Sequence, residues 1–189
     1  MRVIAGTAKS IYLETIEGDG TRPTSDRIKE TLFNIIQFDL ADSIFLDLFS
    51  GSGSIGIEAL SRGAKQAYFV DNNPKAIKCI KSNLKRTKLD DKSKVLNSDA
   101  LAAISRLNIH DNKFDLIFID PPYNSLYEKD TLEAISKTNL LHDDSIIIVE
   151  AGLKTTFDYL DNSPLEVYRE KEYKNNKHVF IRKASKENA

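Results

Sequence analysis

From Ser43 onward, short apolar runs alternate with longer stretches in which apolar residues recur every three or four positions. The runs at 44–48, 67–71, 94–97, 114–119 and 145–150 predict buried strands, and the stretches at 55–63, 73–87, 100–106 and 128–137 predict helices. This alternation predicts an α/β fold, a Rossmann-like parallel sheet with helices on both faces. After Glu150 the pattern changes. Thr155–Leu160 predicts a short helix. Leu165–Tyr173 and Lys177–Lys183 predict two strands joined by Lys174-Asn175-Asn176, an antiparallel hairpin at one edge. At the other end, Val3-Ile4-Ala5 and Ile11-Tyr12-Leu13 flank Gly6-Thr7-Ala8-Lys9 and predict an extended hairpin. Thr24 or Ser25 can cap a following helix, with Asp26 and Glu30 near its first turn and Ile28, Leu32, Ile35 and Ile36 at helical spacing to about Phe38. The expected organisation is an N-terminal extension over 1–43, a main domain over 44–183 and a tail over 184–189.

Composition narrows this little. At 189 residues, 41% hydrophobic and 29% charged, the chain fits one ordinary globular domain with an appendage. No apolar run approaches the ~20 residues of a membrane span. The start, Met1-Arg2-Val3-Ile4-Ala5-Gly6, lacks a signal peptide's apolar core. The one cysteine, Cys79, forms no intramolecular disulfide. These features point to the cytoplasm and away from membranes. His110, His142 and His178 show no metal-ligand spacing, so no metal is expected. A net charge of −1 argues against a uniformly basic nucleic-acid binder. Charge is nevertheless uneven: residues 75–94 hold eight Lys/Arg against two Asp. Lys75, Lys78, Lys81 and Lys85 fall on one helical face. That face reads first as a solvated stripe and second as a phosphate contact.

Two stretches carry candidate chemistry. Ile44–Gly56 reads as strand, small-residue turn and helix start, and Gly51, Gly53 and Gly56 satisfy the G-x-G-x-x-G spacing of dinucleotide sites. Phe49 and Ser52 belong to the same turn. Asp47, four residues before Gly51, would repel a pyrophosphate but attract the ammonium and sulfonium of S-adenosylmethionine. Asp71, with Asn72 after it, ends the second strand and suits ribose hydroxyls. Asp99, with Ala100, follows the third and suits an adenine amino group. Either acid alone can equally be a helix cap. The second stretch, Asp120-Pro121-Pro122-Tyr123, ends the fourth strand. A carboxylate, a proline carbonyl and an aromatic ring there suit a planar exocyclic amine: Asp120 and Pro121 accept its N–H bonds, and Tyr123 stacks on the base.

Together, the Asp47–Gly56 loop, Asp71, Asp99 and Asp120–Tyr123 resemble class I S-adenosylmethionine-dependent amino methyltransferases. With Arg2–Gly6, Thr21–Asn34 and Ile57–Ala64, the chain resembles the RsmD family from residue 2 to about 182. That resemblance implies methylation of the guanine N2 amine at position 966 of bacterial 16S ribosomal RNA, free or in an assembling small subunit. It also implies a seven-stranded sheet with a reversed last strand, a monomer, and an N-terminal extension contacting RNA and cofactor. Arg22, Pro23 and Thr24 would lie near the methionine carboxylate of the cofactor. One departure is Thr7–Tyr12, which holds a single Lys where the family carries several arginines and glycines. This weakens the expected N-terminal RNA contacts. The alternatives are an adenine-N6 methyltransferase of DNA or RNA, whose amine the same four residues serve, and a nucleic-acid-binding module with a vestigial cofactor site.

Overall fold

The computed structural model describes residues 1–16, 26–122 and 127–184. One sheet contains β1 (Ile44–Leu48), β2 (Gln66–Asp71), β3 (Ser93–Asn97), β4 (Phe114–Ile119), β5 (Leu141–Gly152), β6 (Leu165–Glu172) and β7 (Asn176–Lys183). Their order is β3-β2-β1-β4-β5-β7-β6. Strands β1 to β5 are parallel, and β7 runs antiparallel between β5 and β6. The chain steps outward from β1 to β3, then returns to lay β4 on the other side of β1. This reversal opens a crevice at the strand C-termini.

The helices are α1 (Asp26–Ile35), α2 (Ser54–Ser61), α3 (Pro74–Thr87), α4 (Ala100–Ile109) and α5 (Tyr127–Ser136). Alternate strand residues feed two cores. Leu46, Val70, Ile117, Ile147 and Ile181 face Ile104, Leu107, Leu132 and Ile135 of α4 and α5. Phe45, Phe69, Phe118, Ile148 and Phe180 face Leu32, Phe33, Ile57, Leu60 and Ile80 of α1, α2 and α3. Central strands buried on both faces need unbroken apolar runs, which is why the sequence marks them so clearly. Every residue of α2 is buried.

The ends of elements differ from expectation where the apolar pattern is not decisive. Helix α1 stops at Ile35, and Phe38 beyond it is exposed. Strand β5 starts earlier than its apolar run, at Leu141, with a register shift between Phe114 and Leu116 of β4. Within Thr155–Leu160 only Asp158–Leu160 turns helically, as one 3-10 turn. On β6 the register shifts between Val167 and Arg169.

The expected N-terminal segments pair antiparallel, through an Arg2–Tyr12 bridge and backbone bonds from Val3 N to Ile11 O, Ser10 N to Val3 O and Leu13 N to Met1 O; the part beyond Ile16, and the Thr24 and Ser25 caps, lie outside the described residues. Other polar groups of this segment reach α2. The Ile4 and Ala5 amides donate to the Glu58 carboxylate at 2.8 and 3.0 Å. Ala8 N donates to Ser61 Oγ, which donates to Ala5 O. Gly6, at φ +83°, approaches so closely that a Cβ would sit 1.7 Å from Ser61 O. Lys29 of α1 completes this junction, with Nζ 3.1 Å from Glu58 and donating to Arg2 O; both Lys29 and Glu58 are fully buried.

Candidate functional site

The loop after β1 is tight because three of its residues take positive φ: Phe49 (63°), Gly51 (54°) and Gly53 (77°). Gly56 serves a different purpose. A Cβ there would meet the Phe69 ring at 2.4 Å, so its absence lets α2 lie close on β2. Asp47 sits under this loop, 2% exposed, and accepts the Gly56 amide at 3.0 Å. Burial drives its carboxyl up to about 7, against the Gly56 N–H and with added repulsion from Asp71. Asp71 accepts Gly51 N at 2.8 Å and Asn73 N at 2.9 Å, tying the loop to the start of α3. Asn83 ties it from the other side. Its buried amide donates to Ser52 O at 2.9 Å and Glu14 O at 3.0 Å, and it accepts Glu14 N at 2.8 Å.

A cavity of about 220 Å³ opens at the ends of β2, β3 and β4. Asp71, Asn72, Ser98 and Asp99 give it a polar rim; Phe49, Val70, Ala100, Leu101, Pro122 and Tyr127 give it apolar walls, with Thr131 of α5 also lining it. Asp99 caps α4 through Ala102 N at 2.9 Å, so the cap reading of this acid holds while its residue still faces the cavity. The cavity's chemistry fits an adenosyl group. Two carboxylates accept hydroxyl or amine hydrogens, and the Phe49 and Tyr127 rings, 6.2 Å apart, offer flat surfaces.

Beyond β4, Asp120 is partly exposed and donates its backbone amide to Leu48 O. Parallel register aligns Ile119 with Val149, which sets Asp120 beside Glu150. Burial, then Glu150, then Asp47, push the Asp120 carboxyl well above its usual range. Glu150 is itself 6% exposed and held by donors. Asn176 Nδ2 lies 2.6 Å from Oε1, and His178 Nε2 lies 3.3 Å from Oε2. The Tyr173 hydroxyl meets the other His178 ring nitrogen at 3.0 Å. Burial and Glu150 push Tyr173 up to about 12.

Of the residues singled out in the sequence, Phe49, Asp71, Asn72, Asp99, Ala100 and Pro122 line this cavity. Asp47, Gly51, Ser52, Gly53, Asp120 and Pro121 do not line it. Arg22, Pro23, Thr24 and Tyr123 lie outside the described residues. Sequence reasoning missed Val70, Ser98, Leu101, Tyr127 and Thr131 as wall residues. Tyr127 and Thr131 share a face of α5, but that face reads as ordinary core spacing.

Similarity to known proteins agrees with this geometry. The family model described as Conserved hypothetical protein 95 matches residues 1–182. YlbH of Bacillus subtilis is 42% identical over 150 residues, 79% of this chain and 82% of that protein. Ribosomal RNA small subunit methyltransferase D of Haemophilus influenzae is 34% identical over 151 residues, covering 79% of this chain and 78% of the relative. Among solved structures, yhhF of Escherichia coli superposes with a TM-score of 0.83 at 27% identity, covering 98% of this chain and 99% of that one. The chain belongs to the Conserved hypothetical protein 95 family, which is the RsmD family its sequence resembles.

Proposed function

We propose that this chain is a cytoplasmic, monomeric, metal-independent methyltransferase. It transfers a methyl from S-adenosylmethionine to the N2 amine of a guanine in 16S ribosomal RNA, free or in the assembling small subunit. Its resemblance points to position 966. One observation carries the reading: Asp120-Pro121-Pro122 ends β4 beside an acid-rimmed cavity at the ends of β2 and β3, across the point where strand order reverses. Relatives named for ribosomal RNA small subunit methylation support the substrate class.

When bound, the cofactor supplies an electrophilic methyl on a cationic sulfur. Asp71 and Asp99 hold the adenosyl end, the Gly51–Gly53 backbone allows close approach, and Asp47 supplies negative charge for the cationic end. The resemblance assigns Arg22, Pro23 and Thr24, in the extension over 1–43, to the methionine carboxylate of the cofactor. On the target side Asp120 and the Pro121 carbonyl accept the two amine hydrogens. They draw the nitrogen lone pair out of the ring's conjugation and offset the charge that develops on it. The base, unstacked to reach them, lies on Tyr123. Asp120 then takes the released proton on its carboxylate, and its raised pKa matches that task. A cationic ligand near Asp47 favours the ionised form of both carboxyls before transfer.

The test is methylation of 16S ribosomal RNA and assembling subunits with labelled cofactor, followed by nucleoside digestion. N2-methylguanosine is expected. Labelled N6-methyladenosine in its place would move the target to adenine, and RNA binding without any transfer would leave only a binding module.

A further inference from the structure

Thr131 sits within α5 and is 1% exposed, yet its hydroxyl has no hydrogen-bond partner among the described residues. Helical threonines in this chain ordinarily return the hydroxyl to a carbonyl one turn back. Thr31 does so with Arg27 at 2.9 Å, and Thr87 with Asn83 at 2.8 Å. Thr131 does not, and a buried hydroxyl left unpaired is destabilising. Tyr159 is the other buried hydroxyl without a partner among the described residues, and it is not part of the cavity. Thr131 is part of it, on the same wall system as Asp99, Ala100 and Tyr127.

We infer that Thr131 is a cofactor-binding residue, its hydroxyl completing a hydrogen bond to the purine base of the adenosyl ligand. A purine offers ring nitrogens that accept and an exocyclic amine that donates, and a hydroxyl serves either. Phe49, Pro122 and Tyr127 of the same lining offer apolar surfaces that suit the flat faces of a base, and the Asp99 carboxylate can accept from its exocyclic amine but cannot donate to a ring nitrogen. Thr131 adds a group that can do either. The unmade bond is retained in the free protein because the ligand makes it. Helix α5 thereby becomes part of the cofactor site, although nothing in its sequence marks it as such. This inference rests on the reading of the cavity as the adenosyl site.

The experiment is calorimetric titration of the full chain and its Thr131→Val and Thr131→Ser variants with S-adenosylhomocysteine and, separately, adenosine, alongside melting of each ligand-free protein. Valine keeps the shape and removes the hydroxyl. Both ligands are expected to bind Thr131→Val about fivefold to tenfold more weakly, one hydrogen bond's worth. Its ligand-free melting temperature should equal or exceed that of the parent, and Thr131→Ser should bind within about twofold of the parent. A Thr131→Val protein that binds as the parent does overturns the inference alone. So does one that melts lower or fails to fold, because its hydroxyl would then have a structural partner. Thr131→Ser binding as weakly as Thr131→Val also overturns it, by assigning the loss to the methyl group. A parent chain that binds neither ligand overturns the cofactor reading and this inference together.

Discussion

Two carboxyls carry the residue-scale consequences. Asp47 holds its proton far above an unfolded carboxyl, at about 7 instead of 3.8. Between those values the folded state binds more protons at this carboxyl than the unfolded chain does, so its contribution to stability falls as pH rises from about 4 to about 7 and is constant above. The full shift corresponds to at most about 4 kcal/mol. Asp47→Asn keeps an acceptor for Gly56 N and loses the buried charge. Its melting temperature at pH 8 should exceed the parent's, its slope between pH 4 and 7 should flatten, and S-adenosylmethionine binding by calorimetry should weaken at least about tenfold. Asp120→Asn should lower the rate of methylation by about 10²-fold or more while leaving S-adenosylhomocysteine affinity within about threefold, because the lost interaction is with the amine. The acids were legible in the sequence because each stands at the end of an apolar run. Their charge state was not. It depends first on burial and, for Asp120, then on Glu150, a neighbour set by strand register from 30 positions away.

At the scale of elements, α2 is the piece on which the others converge. Its sequence shows apolar spacing and a glycine turn, but not that Glu58 and Ser61 receive the N-terminal loop. Those contacts join residues more than 50 positions apart and leave no local periodic signal. Glu58→Gln would strand the buried Lys29 ammonium, whose pKa burial already lowers despite Glu58. Urea denaturation should show a loss of about 3–5 kcal/mol, the usual cost of leaving one member of a buried pair alone. The glycines separate by mechanism. Gly56→Ala forces a side chain into Phe69 and should cost about 1–3 kcal/mol. Gly51→Ala meets nothing within 4 Å and should cost only the strain of its left-handed backbone, about 1 kcal/mol. The order of the two denaturation midpoints checks the assignment.

For the molecule as a whole, strand order and the two cores follow from features the sequence displays plainly: apolar runs for central strands, and the break in pattern after Glu150 for the terminal hairpin. What pattern alone withheld was how far the first residues belong to the body. Val3, Ala8 and Leu13 share a core with Phe33, Ile57 and Phe69. A chain lacking residues 1–16 should therefore lose its cooperative thermal transition in circular dichroism, because it exposes that core and removes the contacts that Glu58, Ser61 and Asn83 make with the N-terminal segment. The opposite rim of the sheet shows how such a body stays finite. Outermost strand β6 is exposed along nearly its whole length, and an irregularity between Val167 and Arg169 breaks the regular register of its pairing with β7. Glu166, Arg169, Glu170, Lys171 and Glu172 stud this rim with charge of both signs. A second copy arriving edge-on finds a kinked, charged border, which guards the chain against aggregation at high concentration.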